Sequence, residues 1–266
     1  GPPGTNGEEA AIRRDEGAEH LPRASHRAVA TAVESGEADE GVVAIENSIN
    51  GSVAETLDIL IHETELQIQA EIVVPIEHVL VVKPGTRPED VRVVFSHPQA
   101  LGQCRQYLET NFPQATREAA LSTAESVELA VRRGGDAAAI ATKRAAELHG
   151  GEIIATGIAD VADNVTRFAV LGHGTPPRTG RDRTSIAFTF IQDKPGALVS
   201  ALKEFADRNI NCSKMESRPT REVFGEYVFL VDFWGHVEDA EVQDALAAVR
   251  PLCSVLKVFG SYPRWK

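Results

Sequence analysis

The sequence predicts an α/β chain in two parts: a larger first part on a mostly parallel sheet, then a small βαββαβ unit. Three observations predict it. Short apolar, β-branched runs alternate with helical patterns through the first two thirds, as βαβ units require. A stretch without periodicity, "GHGTPPRTGRDR" from Gly172 to Arg183, then clusters Gly, Pro and polar residues in the manner of an interdomain linker. Beyond it the pattern restarts and runs strand, helix, strand, strand, helix, strand over a span expected of a ferredoxin-like unit.

The elements follow in order. The chain opens on "GPPGTNGEEAA", a Gly/Pro turn leading into a helical run. Such a turn normally joins two elements, so a short strand is expected ahead of it. Strands are predicted at Gly41 to Ile45, Ile68 to Val74, His78 to Val82, Val91 to Phe95, Ala137 to Ala141 and Phe168 to Gly172. Helices are predicted at Ser25 to Ser35, Pro98 to Glu109, Thr123 to Arg132 and Thr142 to His149. In "STAESVELAVRRGG" a Ser/Thr cap, an early Glu and a closing Gly after two arginines mark both helix ends. In the second part, "TSIAFTFI" alternates as a strand and "KPGALVSALKEFADRN" puts Leu198, Leu202 and Phe205 on one helix face. "INCSKMESRP" and "GEYVFLVDFWG" read as strands, "EDAEVQDALAAVR" as a helix and "CSVLKVFGSYP" as the last strand.

Composition removes several function classes. The 266 residues are 42% hydrophobic, enough for a real core, and the net charge of -12 argues against a nucleic-acid footprint or a polybasic membrane anchor. No apolar run approaches the length needed to cross a bilayer. The three cysteines, Cys104, Cys212 and Cys253, are odd in number, widely spaced and without a C-x-x-C partner. That opposes a disulfide framework or a zinc site and predicts a reducing compartment, read as the cytoplasm.

Four polar clusters stand where strands of the first part end or begin. In "GPPGTNG", Thr5 sits in a Gly-rich turn that either presents backbone N–H groups to an anion or is simply a turn. In "IENSINGSVAETLD", Glu46, Asn47, Ser48, Asn50 and Ser52 crowd a strand's carboxyl end, more donors and acceptors than one helix cap uses, which favours a ligand site. In "FSHPQALGQCR", His97 precedes a proline at the first helical position and is either a solvated cap neighbour or a carboxylate and proton partner, with Gln99 one turn inside. In "DNVTRFAVLG", Thr166 and Arg167 form a polar lip at the entrance of the strand that Phe168 begins. Spacing leaves open whether they make a surface contact or a bidentate carboxylate anchor with a hydroxyl beside it. In the second part, the Gly-Ala turn of "KPGALV" opens a helix and is either a plain turn or a close approach to a small ligand.

Together, "GPPGT", "ESGEADEGVVAIENSINGSVAETLD", "SHPQAL-QC" and "DNVTRFAVLG", followed by "GALV" and "ESRP", resemble prephenate dehydratase with a C-terminal ACT domain, in the family's order and over almost the entire chain. The resemblance implies a two-lobed catalytic domain similar to periplasmic binding proteins (1–174), a linker (175–183) and a ferredoxin-like ACT regulatory domain (184–266). It implies an enzyme that turns prephenate into phenylpyruvate, water and CO2 on the route to phenylalanine, inhibited by phenylalanine through the ACT domain, as a homodimer or homotetramer. Aromatisation drives such a reaction, so no cofactor and no metal are expected. By resemblance Thr166 is the hydrogen-bond donor to the departing hydroxyl, Arg167 the carboxylate anchor and Phe168 the ring contact that keeps the pocket dry. Thr5, Asn47, Ser48, Ser52, His97 and Gln99 line the rest. Gly196, Ala197 and Leu198 receive the effector, Asn211 joins that set, and Glu216, Ser217, Arg218 and Pro219 shape the site or transmit its closure. The family usually has an aromatic and then Ser or Ala after the first threonine, whereas Asn6 and Gly7 stand here. Arogenate dehydratase and a non-catalytic amino acid sensor are the alternative readings of the same pattern.

Overall fold

The computed structural model describes residues 1–220 and 226–265; Gly225, which opens a predicted strand, and Lys266 lie outside the described residues. In chain order the elements are α1 (Asn6–Arg14), α2 (His26–Glu34), β1 (Gly41–Asn47), β2 (Gly51–Ser52), α3 (Ala54–Asp58), β3 (Gln67–Pro75), β4 (Val79–Val82), β5 (Val93–Ser96), α4 (Pro98–Gln103), α5 (Arg105–Asn111), β6 (Thr116–Ala119), α6 (Thr123–Arg133), β7 (Ala137–Ala141), α7 (Lys143–Leu148), β8 (Glu152–Thr156) and β9 (Val165–Gly172). There follow β10 (Asp182–Phe190), α8 (Ala197–Ala206), β11 (Cys212–Pro219), β12 (Tyr227–Trp234), α9 (Ala240–Val249) and β13 (Cys253–Pro263). One compact unit comprises Gly1–Val29, Val42–Val53 and Ile72–Phe168; the other comprises Ala30–Gly41, Ala54–Glu71 and Ala169–Lys266. No helix among the described residues is long and apolar enough to cross a membrane.

The first unit holds a five-stranded sheet in the order β6-β5-β7-β4-β8. Its central strand, Ala-Ala-Ala-Ile-Ala, is wholly buried, because helices cover both faces. On one face Val79, Val81, Val93 and Phe95 pack with Ala124, Val127 and Ala130 of α6 and Ala145 and Ala146 of α7. On the other, Leu80, Val82, Val94 and Ile140 pack with Ala100, Cys104, Leu108 and Ile158. The expected mostly parallel sheet is present with one strand, β4, reversed. β5 runs parallel to β6 and β7, but β4 is antiparallel to both β7 and β8.

The helix predicted from Pro98 to Glu109 is two helices. Cys104, at φ -115° and ψ 21°, leaves the helical well between α4 and α5. The carboxylate of Asp160 then receives the N–H groups of Gln106 (2.9 Å) and Tyr107 (3.2 Å) and caps the second helix from a distant loop.

A further sheet has the order β2-β1-β9-β3. β9 starts at Val165, so Thr166 and Arg167 lie inside the strand and not at its lip.

The second unit carries the expected βαββαβ order as an antiparallel sheet, β11-β12-β10-β13, with α8 and α9 packed on it around Phe188, Phe205, Phe233 and Val249. β10 begins at Asp182, within the stretch read as a linker. Within the same unit the backbone of β13 lies against β3 so closely that a Cβ on Gly260 would stand 2.5 Å from the carbonyl oxygen of Ile68. Arg183 pairs with the buried Glu71 at 2.6 Å.

Candidate active site

The site grows from the carboxyl end of β1 in the first unit. Asn47 is buried, and its Oδ1 accepts from the backbone N–H groups of Ile49 (3.1 Å) and Asn50 (3.0 Å), an Asx turn that bends the chain out of the strand. Those two backbone groups can only donate, so they fix which way the amide faces. Its Nδ2 is thereby aimed at β9, at 2.7 Å from Asn164 Oδ1, 3.1 Å from the Val165 carbonyl and 3.0 Å from Thr166 Oγ1. Ser48 closes the pair of strands: its N–H donates to the Val165 carbonyl (2.9 Å) and its Oγ accepts from the Val165 N–H (3.0 Å).

β9 is entered through a left-handed residue, Asp163, at φ 58°, a type that tolerates this region. The turn delivers Asn164 into the interior, where it is 4% exposed and bonded on both sides. Thr166 is 9% exposed. Its oxygen already accepts from Asn47, and among the described residues its own proton has no acceptor. A hydroxyl held that way offers its hydrogen to whatever occupies the site. Phe168, two residues on and so on the same face of the strand, is buried.

The network continues past the residues that the sequence reading chose. Asn164 Nδ2 donates to Gln103 Oε1 (3.1 Å), which also meets His78 Nε2 at 2.7 Å. Gln103 Nε2 and Gln99 Nε2 converge on Asn50 Oδ1, at 2.6 and 3.0 Å. Burial lowers the pKa of His78 below its ordinary value, opposed by its bond to Gln103. His97 caps α4, accepting the Gln99 N–H at Nδ1 (3.3 Å), and burial lowers its pKa too. Burial thus favours the neutral form of both imidazoles.

Arg167 looks the other way. Successive residues of a strand face opposite sides, and here Arg167 meets Glu46 where Thr166 meets Asn47. Its Nη2 and Nε donate to one oxygen of Glu46, at 2.9 and 3.1 Å; the guanidinium side chain is 11% exposed and the Glu46 side chain 32%, so the arginine is the more shielded partner. Ser52 stands opposite Glu46 in the β1–β2 register. The adjacent threonine and arginine thus meet different partners, Asn47 and Glu46.

Thr5 caps α1, accepting the Glu8 N–H at 3.4 Å and donating to the Pro2 carbonyl at 2.7 Å. Its hydrogen bonds stay within its own turn, which is tied to the β7–α7 turn by Thr142 Oγ1 donating to the Gly4 carbonyl (2.7 Å). Among the described residues no group of three or more His, Cys, Asp or Glu side chains converges as metal ligands would.

The structure brings Asn47, Ser48, Gln99 and Thr166 into one connected set and adds Asn50, Gln103, Asn164 and His78. Asn164 lies within the "DNVTRF" run and Gln103 one turn beyond Gln99. The signal for His78 was a polar residue opening an otherwise apolar strand, "HVLVV".

In the second unit Gly196 caps α8 in the left-handed region (φ 85°) with no side-chain cap, and leads into Ala197 and Leu198. The Asn211 carbonyl accepts the Trp234 N–H at 3.0 Å. Glu216, Ser217, Arg218 and Pro219 lie on the edge strand β11. Arg218 Nη2 pairs with Asp58 Oδ1 at 3.0 Å, and its Nη1 lies 3.6 Å from Glu216.

The family model of prephenate dehydratase matches residues 1–176, and that of the ACT domain matches residues 185–251. A prephenate dehydratase of Mycolicibacterium vanbaalenii is 42% identical over 241 residues, covering 90% of this chain and 77% of the relative. A bifunctional chorismate mutase/prephenate dehydratase of Neisseria gonorrhoeae is 39% identical over 271 residues, covering 99% of this chain and 73% of the relative. The crystal structure of a prephenate dehydratase from Arthrobacter aurescens in complex with L-Phe superposes with a TM-score of 0.90 at 36% identity, covering 99% of this chain and 88% of that one.

Proposed function

The chain belongs to the prephenate dehydratase family, and on that premise we propose how its residues divide the work of dehydrating and decarboxylating prephenate. The reaction breaks two bonds. The ring C–O bond departs with its electron pair and, with one proton, leaves as water; the C–C bond to the ring carboxylate breaks, its electrons enter the ring, and CO2 leaves. Phenylpyruvate is the aromatic product. The barrier lies in expelling hydroxide, so a donor aimed at the leaving oxygen lowers it.

Thr166 is that donor. The single observation that carries the assignment is the 3.0 Å bond from Asn47 Nδ2 to Thr166 Oγ1, because a hydroxyl whose oxygen accepts from Asn47 keeps its own hydrogen for another partner. The one net proton that makes the departing hydroxide water is taken up from the buffered solvent, since an alcohol is too weak an acid to give its own up permanently. Gln99, Gln103 and Asn50 supply polar groups for the rest of the substrate, and Phe168 the apolar side of the same strand face. Thr5, Ser48, Ser52 and His97 stand as further lining groups, each with the local hydrogen bonds or register described above. Arg167, shielded and paired with Glu46, holds Thr166 in place by fixing the opposite face of the strand; it acts as a positioning group and not as the direct carboxylate anchor.

Phenylalanine regulates the enzyme through the ACT domain, and we assign its recognition to the Gly196–Leu198 turn with Asn211 and the Glu216–Pro219 strand. Inhibition requires tighter binding of phenylalanine to the less active arrangement. A homodimer or homotetramer in the cytoplasm is the assembly and place we propose, the latter on the odd, widely spaced cysteines. The test is a comparison of kcat/KM for prephenate and arogenate at neutral pH, with and without phenylalanine. Higher kcat/KM on prephenate and a lower rate with phenylalanine are expected; preference for arogenate, or binding of phenylalanine without turnover of either acid, contradicts the reading.

A further inference from the structure

The hydrogen-bond chain below Thr166 has a direction, and the direction can be followed. Its fixed end is Asn47, whose Oδ1 accepts from two backbone N–H groups. Asn47 Nδ2 must then be the donor toward Asn164, so the atom it meets at 2.7 Å is Asn164 Oδ1. Asn164 consequently turns its own Nδ2 to Gln103, and Gln103 receives it at Oε1. That leaves Gln103 Nε2 for Asn50 Oδ1, at 2.6 Å. The last partner of Gln103 Oε1 is His78 Nε2 at 2.7 Å. An acceptor oxygen requires a donor there, so His78 carries its proton on Nε2. Its Nδ1 is then a bare lone pair, and that atom is buried with no hydrogen-bond partner among the described residues. His78 itself is 4% exposed.

We propose that His78 is a positioning residue for the dehydration, acting through Gln103. The inference rests on the assignment of Thr166 as donor. From the interior, the Nε2–H of His78 holds Gln103 Oε1, and a side chain held at its oxygen keeps its nitrogen on Asn50 and its acceptor on Asn164. Two outcomes follow from one contact: the Ile49–Asn50 turn is tied to α4, and Asn164 stays oriented so that Asn47 keeps donating to Thr166. If the His78 donor is removed, Gln103 Oε1 loses a buried partner and the alignment of Asn164, Asn47 and Thr166 loosens together, because linked polar groups share one orientation. The lone pair at Nδ1 accords with this role: a second proton on the ring would sit on a buried nitrogen without an acceptor, so only the neutral Nε2–H form fits.

Two measurements on the full chain test this. In the first, nitrogen NMR of histidine-labelled protein at neutral pH, assigned by the signal missing in His78→Gln, reads the tautomer directly. A protonated Nε2 with a bare Nδ1 is expected; the opposite tautomer, or a doubly protonated ring, overturns the proposal. In the second, His78→Phe keeps the bulk and removes the donor, and is expected to lower kcat by about 30-fold with KM changed by less than about 3-fold. His78→Gln, which restores an N–H donor toward Gln103, is expected to recover kcat to within about 5-fold of the unaltered enzyme. Near-native turnover in His78→Phe, or a His78→Gln variant as slow as His78→Phe, overturns it. If the unaltered enzyme were inert toward prephenate, the reading of the reaction would fall, and the tautomer would still decide the network.

Discussion

Arg167 sends both Nε and Nη2 to one oxygen of Glu46, a geometry that depends on the fixed fork of a guanidinium. Lysine offers a single point charge in its place. Arg167→Lys is therefore expected to lower kcat/KM by about 10-fold, chiefly through kcat, by loosening the strand that carries Thr166. Glu46→Gln breaks the same pair from the other side and should produce a similar loss. Steady-state kinetics on both variants separate this from direct anchoring: a large rise in KM for Arg167→Lys alone, with Glu46→Gln unharmed, would mean that the guanidinium binds substrate. At this scale the sequence was legible where chemistry is local. The excess of polar groups after Ile45 marked Asn47 and Ser48 as more than a cap, and both join the network. His78, Gln103 and Asn164 were not legible as partners, because the bonds between them connect residues far apart in the chain. The true start of β9 was hidden because Val165 is a lone apolar residue followed by polar Thr166 and Arg167, and the continuous apolar run begins only at Phe168.

Among the elements, those with a buried face were legible, even at a sheet edge, and exposed strands were not. β13 was expected from Cys253 to Pro263 and spans those residues, with Cys253, Leu256, Phe259 and Tyr262 buried. β6 and β8 were missed. They are the two outer strands of their sheet, and all four residues of β6 are exposed, so no apolar alternation was required of it. The break between α4 and α5 escaped for a different reason: its cap, Asp160, comes from another loop and leaves no local signature. One element-level contact makes a sharp prediction. Gly260 of β13 has a φ of 151°, and a Cβ there would fall 2.5 Å from Ile68 O and 2.8 Å from Ile68 N. Both atoms are backbone, so neither can rotate away. Gly260→Ala is expected to destabilise the chain by about 2–3 kcal/mol, read as a lowered urea midpoint with an unchanged m-value. A midpoint equal to that of the unaltered chain would show that the two strands separate at little cost.

For the whole molecule, the order of parts was legible: an α/β half and then a βαββαβ half, separated by a Gly/Pro-rich stretch. Their composition as compact units was not, since residues 30–41 and 54–71 group with the ACT half and not with their sequence neighbours. For 54–71 the reason is non-local pairing within that unit, in which Arg183 meets Glu71, Arg218 meets Asp58 and Lys257 reaches the Thr64 carbonyl at 2.6 Å. Such pairs are set by the folded chain and carry no periodic trace in the sequence. The proposed chemistry of the first half rests on the Thr166 hydroxyl, whose oxygen accepts from Asn47. The most direct test is the rate of phenylpyruvate formation from prephenate by the full chain and by its Thr166→Val variant, which keeps the shape of the side chain and removes the donor. The unaltered enzyme should turn over prephenate well above the spontaneous rate, and the variant should lose at least about 100-fold in kcat with KM little changed. A variant that retains kcat within about 2-fold of the unaltered enzyme would contradict the assignment of Thr166 as the donor.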